Sequence, residues 1–243
     1  MRTIKLNAID STNSYLRNLL MHNVIEDYTT VTAKSQTAGR GQMGTVWDAQ
    51  ASKNLTFSVY KRTDELPLEY PFYISIVTAL ALVKTLRFFS ISRLSIKWPN
   101  DILSEDKKIC GILIENVIKN NSINASIIGV GLNVNQTEFI NLPKALSLKM
   151  ASGKIFDLDE VLNNILKNLK YYFELLKQEQ YDILKNDYES YLFRKDKPST
   201  FKDAEGSIFS GYIKHVSNNG NLQILLEDNI VKEYDLKEIT LMY

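Results

Sequence analysis

A single cysteine, Cys110, stands in the 243 residues, so no internal disulfide can form and no cysteine-based zinc cluster can assemble. That economy fits a reducing compartment, with the cytoplasm as the default location. Only two histidines are present, His22 and His215; neither has neighbours at metal-ligand spacing, and both read as surface or packing residues. Charge of one sign is missing as well. Lys and Arg number 29 against 28 Asp and Glu, a net +1, so no global field draws the chain to nucleic acid or an anionic membrane, and any anion it binds is held locally. The longest apolar run, near residues 74–83, is too short to span a bilayer, and the first residues hold no apolar signal core. Internal repeats and low-complexity tracts are also lacking.

What is there suffices for a sizeable core: 44% of the residues are hydrophobic, in a length that suits one large domain or a main domain with a small appendage. Ser11, Thr12 and Asn13 precede Tyr15, Leu16, Leu19 and Leu20 at helical spacing and sit where a helix N-cap belongs. β-branched and aromatic runs at 28–33 and 55–60 read as strands on either side of a glycine loop. Pro71 stands near the start of an apolar helix over 73–88, and 94–98 alternates as a strand ending at Pro99, which leaves Asn100 and Asp101 just past a strand end.

Two β-rich runs, 109–118 and 125–134, flank the turn-forming cluster of Lys119, Asn120, Asn121 and Ser122 and predict a hairpin. A turn centred between Asn120 and Asn121 places Lys108 opposite Asn133. Asp157, Leu158, Asp159 and Glu160 have the form of a capping box opening a long helix, with Val161, Leu162, Ile165, Leu166, Leu169, Tyr172, Phe173 and Leu176 on one core-facing stripe. A second helix covers 180–192. From about Lys197 the pattern changes to short alternating strands around Gly206, Gly211 and Gly220, a small barrel of about five strands.

Residues 36–47, Gln-Thr-Ala-Gly-Arg-Gly-Gln-Met-Gly-Thr-Val-Trp, concentrate chemistry. Gly39, Gly41 and Gly44 let backbone amides approach a phosphate, Arg40 offers a planar fork to oxyanions, and Trp47 gives a flat face for stacking. A flexible surface turn has the same composition, so the neighbours must decide. Lys97, Trp98, Pro99, Asn100 and Asp101 gather polar groups and an indole at a strand end, where ligand contacts collect in α/β architectures. Gly111, close behind Lys107 and Lys108, marks a close approach of backbone or ligand, and Gly129 and Gly131 repeat that signature on the partner strand. Cys110 between Ile109 and Gly111 reads as a small buried hydrophobe.

Taken in order, five segments resemble the biotin protein ligase family: Ser11-Thr12-Asn13; residues 36–47; Lys97-Trp98-Pro99-Asn100-Asp101; Lys108-Ile109-Cys110-Gly111-Ile112-Leu113-Ile114-Glu115; and Gly129-Val130-Gly131-Leu132-Asn133. The likeness covers residues 1–195 through motifs and residues 196–243 through length and pattern alone. It implies an α+β fold: a catalytic domain over 1–195, class II synthetase-like, with a mixed sheet and flanking helices, then a small SH3-like β-barrel over 196–243. It also implies activation of biotin with ATP and magnesium as biotinyl-5′-AMP, and transfer of biotin to a lysine of a biotin carboxyl carrier domain of a carboxylase.

By the same resemblance Ser11, Thr12, Asn13 and Gln36 hydrogen-bond the biotin ureido ring, with Arg40, Gly41, Gln42, Lys108 and Gly111 completing the biotin site. Trp47, Asn100, Asp101 and Asn133 form the nucleotide side together with Arg40 and Lys108. Lys108, Arg40 and Asp101 are the expected catalytic group, Lys108 bridging the biotin carboxylate and the α-phosphate and Asp101 orienting a magnesium ion or the acceptor lysine; no dedicated protein cage for a metal is expected. Members commonly carry a second arginine where this chain has Gln42, so the loop is expected to close less firmly. With Ser11 ten residues from the start, no DNA-reading helical domain fits ahead of it, which implies the monofunctional form. Free sheet edges would allow a homodimer. The rival readings are a lipoate or octanoate ligase and a non-catalytic biotin-binding sensor.

Overall fold

Thr3–Ile9 (β1) and Thr30–Gln36 (β2) pair in parallel, with the helix Thr12–His22 (α1) as their crossover. The computed structural model describes residues 2–120 and 122–243, the side chains of Asp64 and Glu65 excepted. Leu55–Pro67 (β3) runs antiparallel to β2, and Leu94–Lys97 (β4), Asp101–Ser104 (β5), Lys107–Lys119 (β6) and Ser122–Leu132 (β7) complete a mixed sheet in the order β1-β2-β3-β7-β6-β5-β4. β1 and β5 escaped the sequence reading. Residues 3–9 alternate only weakly, and Asp101, expected past a strand end, instead opens β5 opposite Lys97.

Register divides this sheet into two unlike faces. Leu55, Phe57 and Val59 of β3 align with Leu132, Val130 and Ile128 of β7, and these side chains are buried against Tyr73–Phe88 (α2) and Leu158–Lys177 (α4). The helix predicted over 73–88 has those bounds. Asp157 caps α4, its side chain accepting from the Glu160 amide at 2.8 Å, and all eight residues of the expected stripe are buried. The opposite face carries Thr56 and Ser58 beside Gly131 and Gly129; having so few side chains, it is left for α1 and for a cavity.

The expected pairing of Lys108 with Asn133 does not occur. Lys119 pairs with Ser122 and Ile118 with Ile123, but from Val117, opposite Ala125, the register has slipped by one, so that the ladder ends with Cys110 opposite Leu132. The extra residue is Asn124. Such a bulge moves every later partner by one position, and the Asn133 amide therefore donates to the Ile109 carbonyl, 2.9 Å away. The turn centre on which the prediction rested includes Asn121, which lies outside the described residues.

Pro198–Asp203 (β8), Ile208–Val216 (β9), Leu222–Leu226 (β10), Val231–Tyr234 (β11) and Ile239–Met242 (β12) form a five-stranded antiparallel sheet in the order β11-β10-β9-β8-β12. Its core is Phe201, Ile213, Val216, Leu222, Ile224, Tyr234 and Ile239. Tyr181–Ser190 (α5), which packs on α2, is tied to this sheet through one buried carboxylate. Glu189 accepts from the Val216 amide at 3.0 Å, from Lys195 Nζ at 3.2 Å and faces His215 Nδ1 at 2.8 Å. A second tie is Trp98 Nε1, which donates to the Gly220 carbonyl at 2.7 Å. Leu148–Ser152 (α3) is a short helix in the connection beyond β7. Among the described residues, no helix is long and apolar enough to cross a membrane.

Burial pushes the Glu189 carboxyl up, yet the bonds from His215, Val216 and Lys195 outweigh it and leave the group below its ordinary 4.5. A depressed carboxyl stabilises the fold above the unfolded-state value and loses that contribution as pH falls through the folded-state value. Glu189→Gln is therefore expected to lower stability by about 2 kcal/mol at neutral pH, the scale of hydrogen bonds to a charged group. In urea titrations the gap between variant and parent closes progressively below pH 4.5; a gap of constant size would show that the carboxylate charge is irrelevant.

Candidate active site

Bare backbone builds the site. On the open face of the large sheet, Gly111 on β6 stands opposite Gly131 on β7, and Leu113 opposite Gly129. A side chain at 131 would overlap the Trp47 indole, and one at 129 would overlap the Asn13 amide. At 111 a Cβ would lie 3.2 Å from both Trp47 and the Lys108 stem. Three absent side chains thus make room for three polar or aromatic ones. The resulting cavity, about 420 Å³, lies between this face and the five-stranded sheet.

One end is a chain of buried polar groups. Ser11 caps α1, and Thr12 and Asn13 in the first turn are buried beneath it. The Thr12 amide and hydroxyl both lie within bonding distance of Gln36 Oε1, at 2.8 and 3.0 Å. Ser58 Oγ stands 2.7 Å from Thr12 Oγ1 and 2.6 Å from Asn13 Oδ1, with one proton to give. These mutually paired, uncharged groups in a confined space suit a neutral polar ligand with donors and acceptors on one edge.

The loop over residues 36–47 is folded into a small hairpin. Arg40 bridges to Val46, the Gly41 amide donates to the Thr45 carbonyl at 2.7 Å and the Trp47 amide to the Gly39 carbonyl at 3.0 Å. Gln42–Gly44 forms its tip as a 3-10 turn, with Gly44 at φ 77°. Gly41, Gln42 and Arg40 line the cavity, and the Arg40 guanidinium rests against Glu115 at 3.3 Å. Trp47 turns inward over the glycines. Its Nε1 is buried and, among the described residues, has no hydrogen-bond partner.

At the other end stand Lys108 and Asp101. A second bulge is responsible: Ile102 pairs with Cys110, but Leu103 pairs with Lys108, so Ile109 is extra. The slip puts Lys108 on the same face as Gly111 and its opposite residue Asp101. Lys108 Nζ lies 2.7 Å from Asp101 Oδ1, an ion pair. The ammonium is 5.6 Å from the centre of a Trp47 ring. Asn100 is pinned to β6, its Nδ2 donating to the Ile112 carbonyl at 2.8 Å.

Ser11, Thr12, Asn13, Gln36, Arg40, Gly41, Gln42, Trp47, Asn100, Asp101, Lys108 and Gly111 all line this one cavity. Asn133 does not: it is buried outside the lining, and its Nδ2 donates to the Leu146 carbonyl at 3.1 Å. Two further contributions come from the motif that ends at Asp101 and from the second sheet, the latter unread in the sequence. Lys97 also lines the cavity, and burial lowers its ammonium below the ordinary lysine value against the pull of Asp101. The five-stranded sheet supplies an apolar wall of Ile213, Leu222, Leu236, Ile239 and Leu241. In sequence those positions are indistinguishable from its own core. Among the described residues, no three His, Cys, Asp or Glu side chains converge as a metal cage.

Comparison with known proteins identifies the family and the fold. Residues 6–133, just over half of the chain, match the model of the Biotin/lipoate A/B protein ligase family. The bifunctional ligase/repressor BirA of Bacillus spizizenii is 37% identical over 163 residues, covering 65% of this chain and 50% of that protein. The biotin--[acetyl-CoA-carboxylase] ligase of Mycobacterium tuberculosis is 31% identical over 163 residues, 66% of this chain and 59% of its own. The chain thus spans about half the length of the first curated relatives it matches. A biotin protein ligase from Aquifex aeolicus, solved in complex with biotin and ATP, superposes with a TM-score of 0.83 at 28% identity, covering 99% of this chain and 98% of that one.

Gly131→Ala tests the geometry without any ligand. The methyl group must expel Trp47 from its seat while leaving the ladder intact, so the tryptophan emission should shift to the red with an unchanged circular dichroism spectrum. An unaltered emission spectrum would show that the indole does not occupy the space above Gly131.

Proposed function

The chain belongs to the Biotin/lipoate A/B protein ligase family, and on that premise we propose that it activates biotin with ATP as biotinyl-5′-AMP and transfers the biotin to a lysine of a carboxylase's biotin carboxyl carrier domain. The observation that carries this reading is the division of a single cavity. Neutral hydrogen-bonding groups of Thr12, Asn13 and Gln36 line one end, the cations Lys108 and Lys97 stand beside Asp101 at the other, and Arg40 joins the wall from the loop through Glu115. Biotin has that same polarity, a neutral ureido ring at one end and a carboxylate at the other.

In the first step a biotin carboxylate oxygen attacks the α-phosphorus of ATP and pyrophosphate leaves. Both reactants are anionic, so approach is opposed unless a cation stands between them. Lys108, carried to this face by the bulge at Ile109, is placed to do so, with Arg40 closing from the loop. Trp47 offers its face to the adenine or ribose. In the second step the uncharged amine of the carrier lysine attacks the acyl carbon, AMP departs, and the amine loses a proton. Asp101, freed once Lys108 turns to the phosphate, is the carboxylate positioned to orient that amine.

The donor set also fits magnesium arriving on the nucleotide: Asp101 is a carboxylate in the cavity wall whose partner is the Lys108 ammonium, and once that ammonium has turned to phosphate a magnesium ion held by Asp101 would offset charge on the departing pyrophosphate. A cytoplasmic location and a homodimer formed through a free sheet edge belong to the same reading.

Lys108→Ala is expected to lower biotin-dependent exchange between ATP and pyrophosphate about 100-fold or more, the usual effect of deleting a charge-stabilising donor. Lys107→Ala, at the exposed neighbour, should leave exchange unchanged, and near-normal exchange in the Lys108 variant would remove that residue from the chemistry. Transfer is checked by the mass of a biotin carrier domain after incubation with ATP, magnesium and biotin. Gln42→Arg, which adds a cation to the loop tip, should slow dissociation of biotinyl-5′-AMP; an unchanged off-rate would mean that residue 42 does not face the phosphate.

A further inference from the structure

Glu115 is a carboxylate that the reading above leaves unused, and it stands just behind the cavity. Its side chain is 17% exposed and is surrounded by donors. Arg17 Nη2 lies 2.9 Å away, Arg40 Nη2 3.3 Å away, and Asn13 Nδ2 donates to Oε2 at 2.9 Å. Glu115 follows Gly111 and Leu113 at every second position on the cavity face of β6. It is therefore held by the sheet beneath it and by Asn13 beside it. Arg40, by contrast, belongs to a hairpin whose tip is exposed. In an ion pair between a fixed and a movable group, the fixed one sets the position.

We propose that Glu115 is a positioning residue: it holds Arg40, and with it the loop over residues 36–47, at the mouth of the cavity until an anion takes its place. The exchange of partners rests on the functional reading above; the hold itself does not. A guanidinium with two η nitrogens can accept an incoming carboxylate or phosphate before it lets go of Glu115, so the loop passes from an internal anion to an external one. Arg17 keeps Glu115 paired while Arg40 is away. The cost of release is small because the Arg40 side chain is 42% exposed and screened by water, which makes the hold weak enough to be reversible.

Tryptic cleavage of the unliganded protein after Arg40 measures the hold, because the protease must take the Arg40 side chain away from Glu115. Glu115→Gln keeps the shape and an acceptor for Asn13 while removing the charge. Cleavage at this bond is expected to become about threefold faster, the scale of a partly exposed ion pair. The ratio of variant to parent should shrink as sodium chloride is raised, since screening weakens only the pair. Equal rates in the two folded proteins, or a ratio indifferent to salt, would overturn the hold. Arg17→Gln should not accelerate cleavage, and acceleration there would assign the effect to general loosening and overturn it too. In the exchange assay Glu115→Gln should lower the KM for biotin about threefold with kcat unchanged; an unchanged or raised KM would overturn the exchange of partners. A parent protein with no biotin-dependent exchange would instead strike the functional reading and leave the cleavage result standing.

Discussion

The close approach of Trp47 and Asn13 to a sheet without side chains is the constraint on which the site depends. Gly129 and Gly131 leave the backbone of β7 bare, and each is covered by a side chain that a methyl group would displace. From that contact follow the seat of the indole, the depth of the cavity and the orientation of α1, whose first turn reaches over Gly129. The opposite face of the same strands carries Ile128, Val130 and Leu132 into the core. One strand thus serves packing and binding on alternate residues, as the period of two allows.

Bulges supply the asymmetry that a regular ladder would lack. The slip at Ile109 brings Lys108 onto the cavity face, and the slip at Asn124 sends the ladder past the pairing that simple hairpin geometry would impose. Neither residue is glycine or proline. Placing a cation at the end of a buried sheet by a local backbone irregularity leaves the hydrophobic alternation of the remaining strand undisturbed, so core and site are adjusted separately.

Much of the fold was legible because its signals are local. The stripe of α4 repeats at helical spacing and starts at an Asp157 cap, and all eight apolar members are buried. Ser11 announced a helix start, and the glycines announced close contact. What escaped was set by distant partners. Asn133 looked like a ligand residue beside Gly129 and Gly131, yet the register turns its amide to the Leu146 carbonyl. Ile239 and Leu241 read as ordinary strand residues, and only the docking of the second sheet, fastened through Glu189 and Trp98, makes them a cavity wall. Lys97 sat inside a recognised motif but took its perturbed ammonium from burial, which no spacing records.

The two contacts of opposite charge within the site, Lys108 with Asp101 and Arg40 with Glu115, give the resting protein an unusual electrical character. Lys108 and Arg40 each already touch a carboxylate, while Lys97 adds a cation to the same wall, so the site keeps an excess of positive charge that is partly offset from within. At Lys108 and Arg40 it behaves as an ion exchanger. The chain as a whole, with a net charge of +1, exerts little long-range pull, and selection among anionic ligands falls to the displacement of internal carboxylates at close quarters. A neutral ligand that fills the end at Thr12 and Asn13 but carries no acid would leave both internal pairs in place.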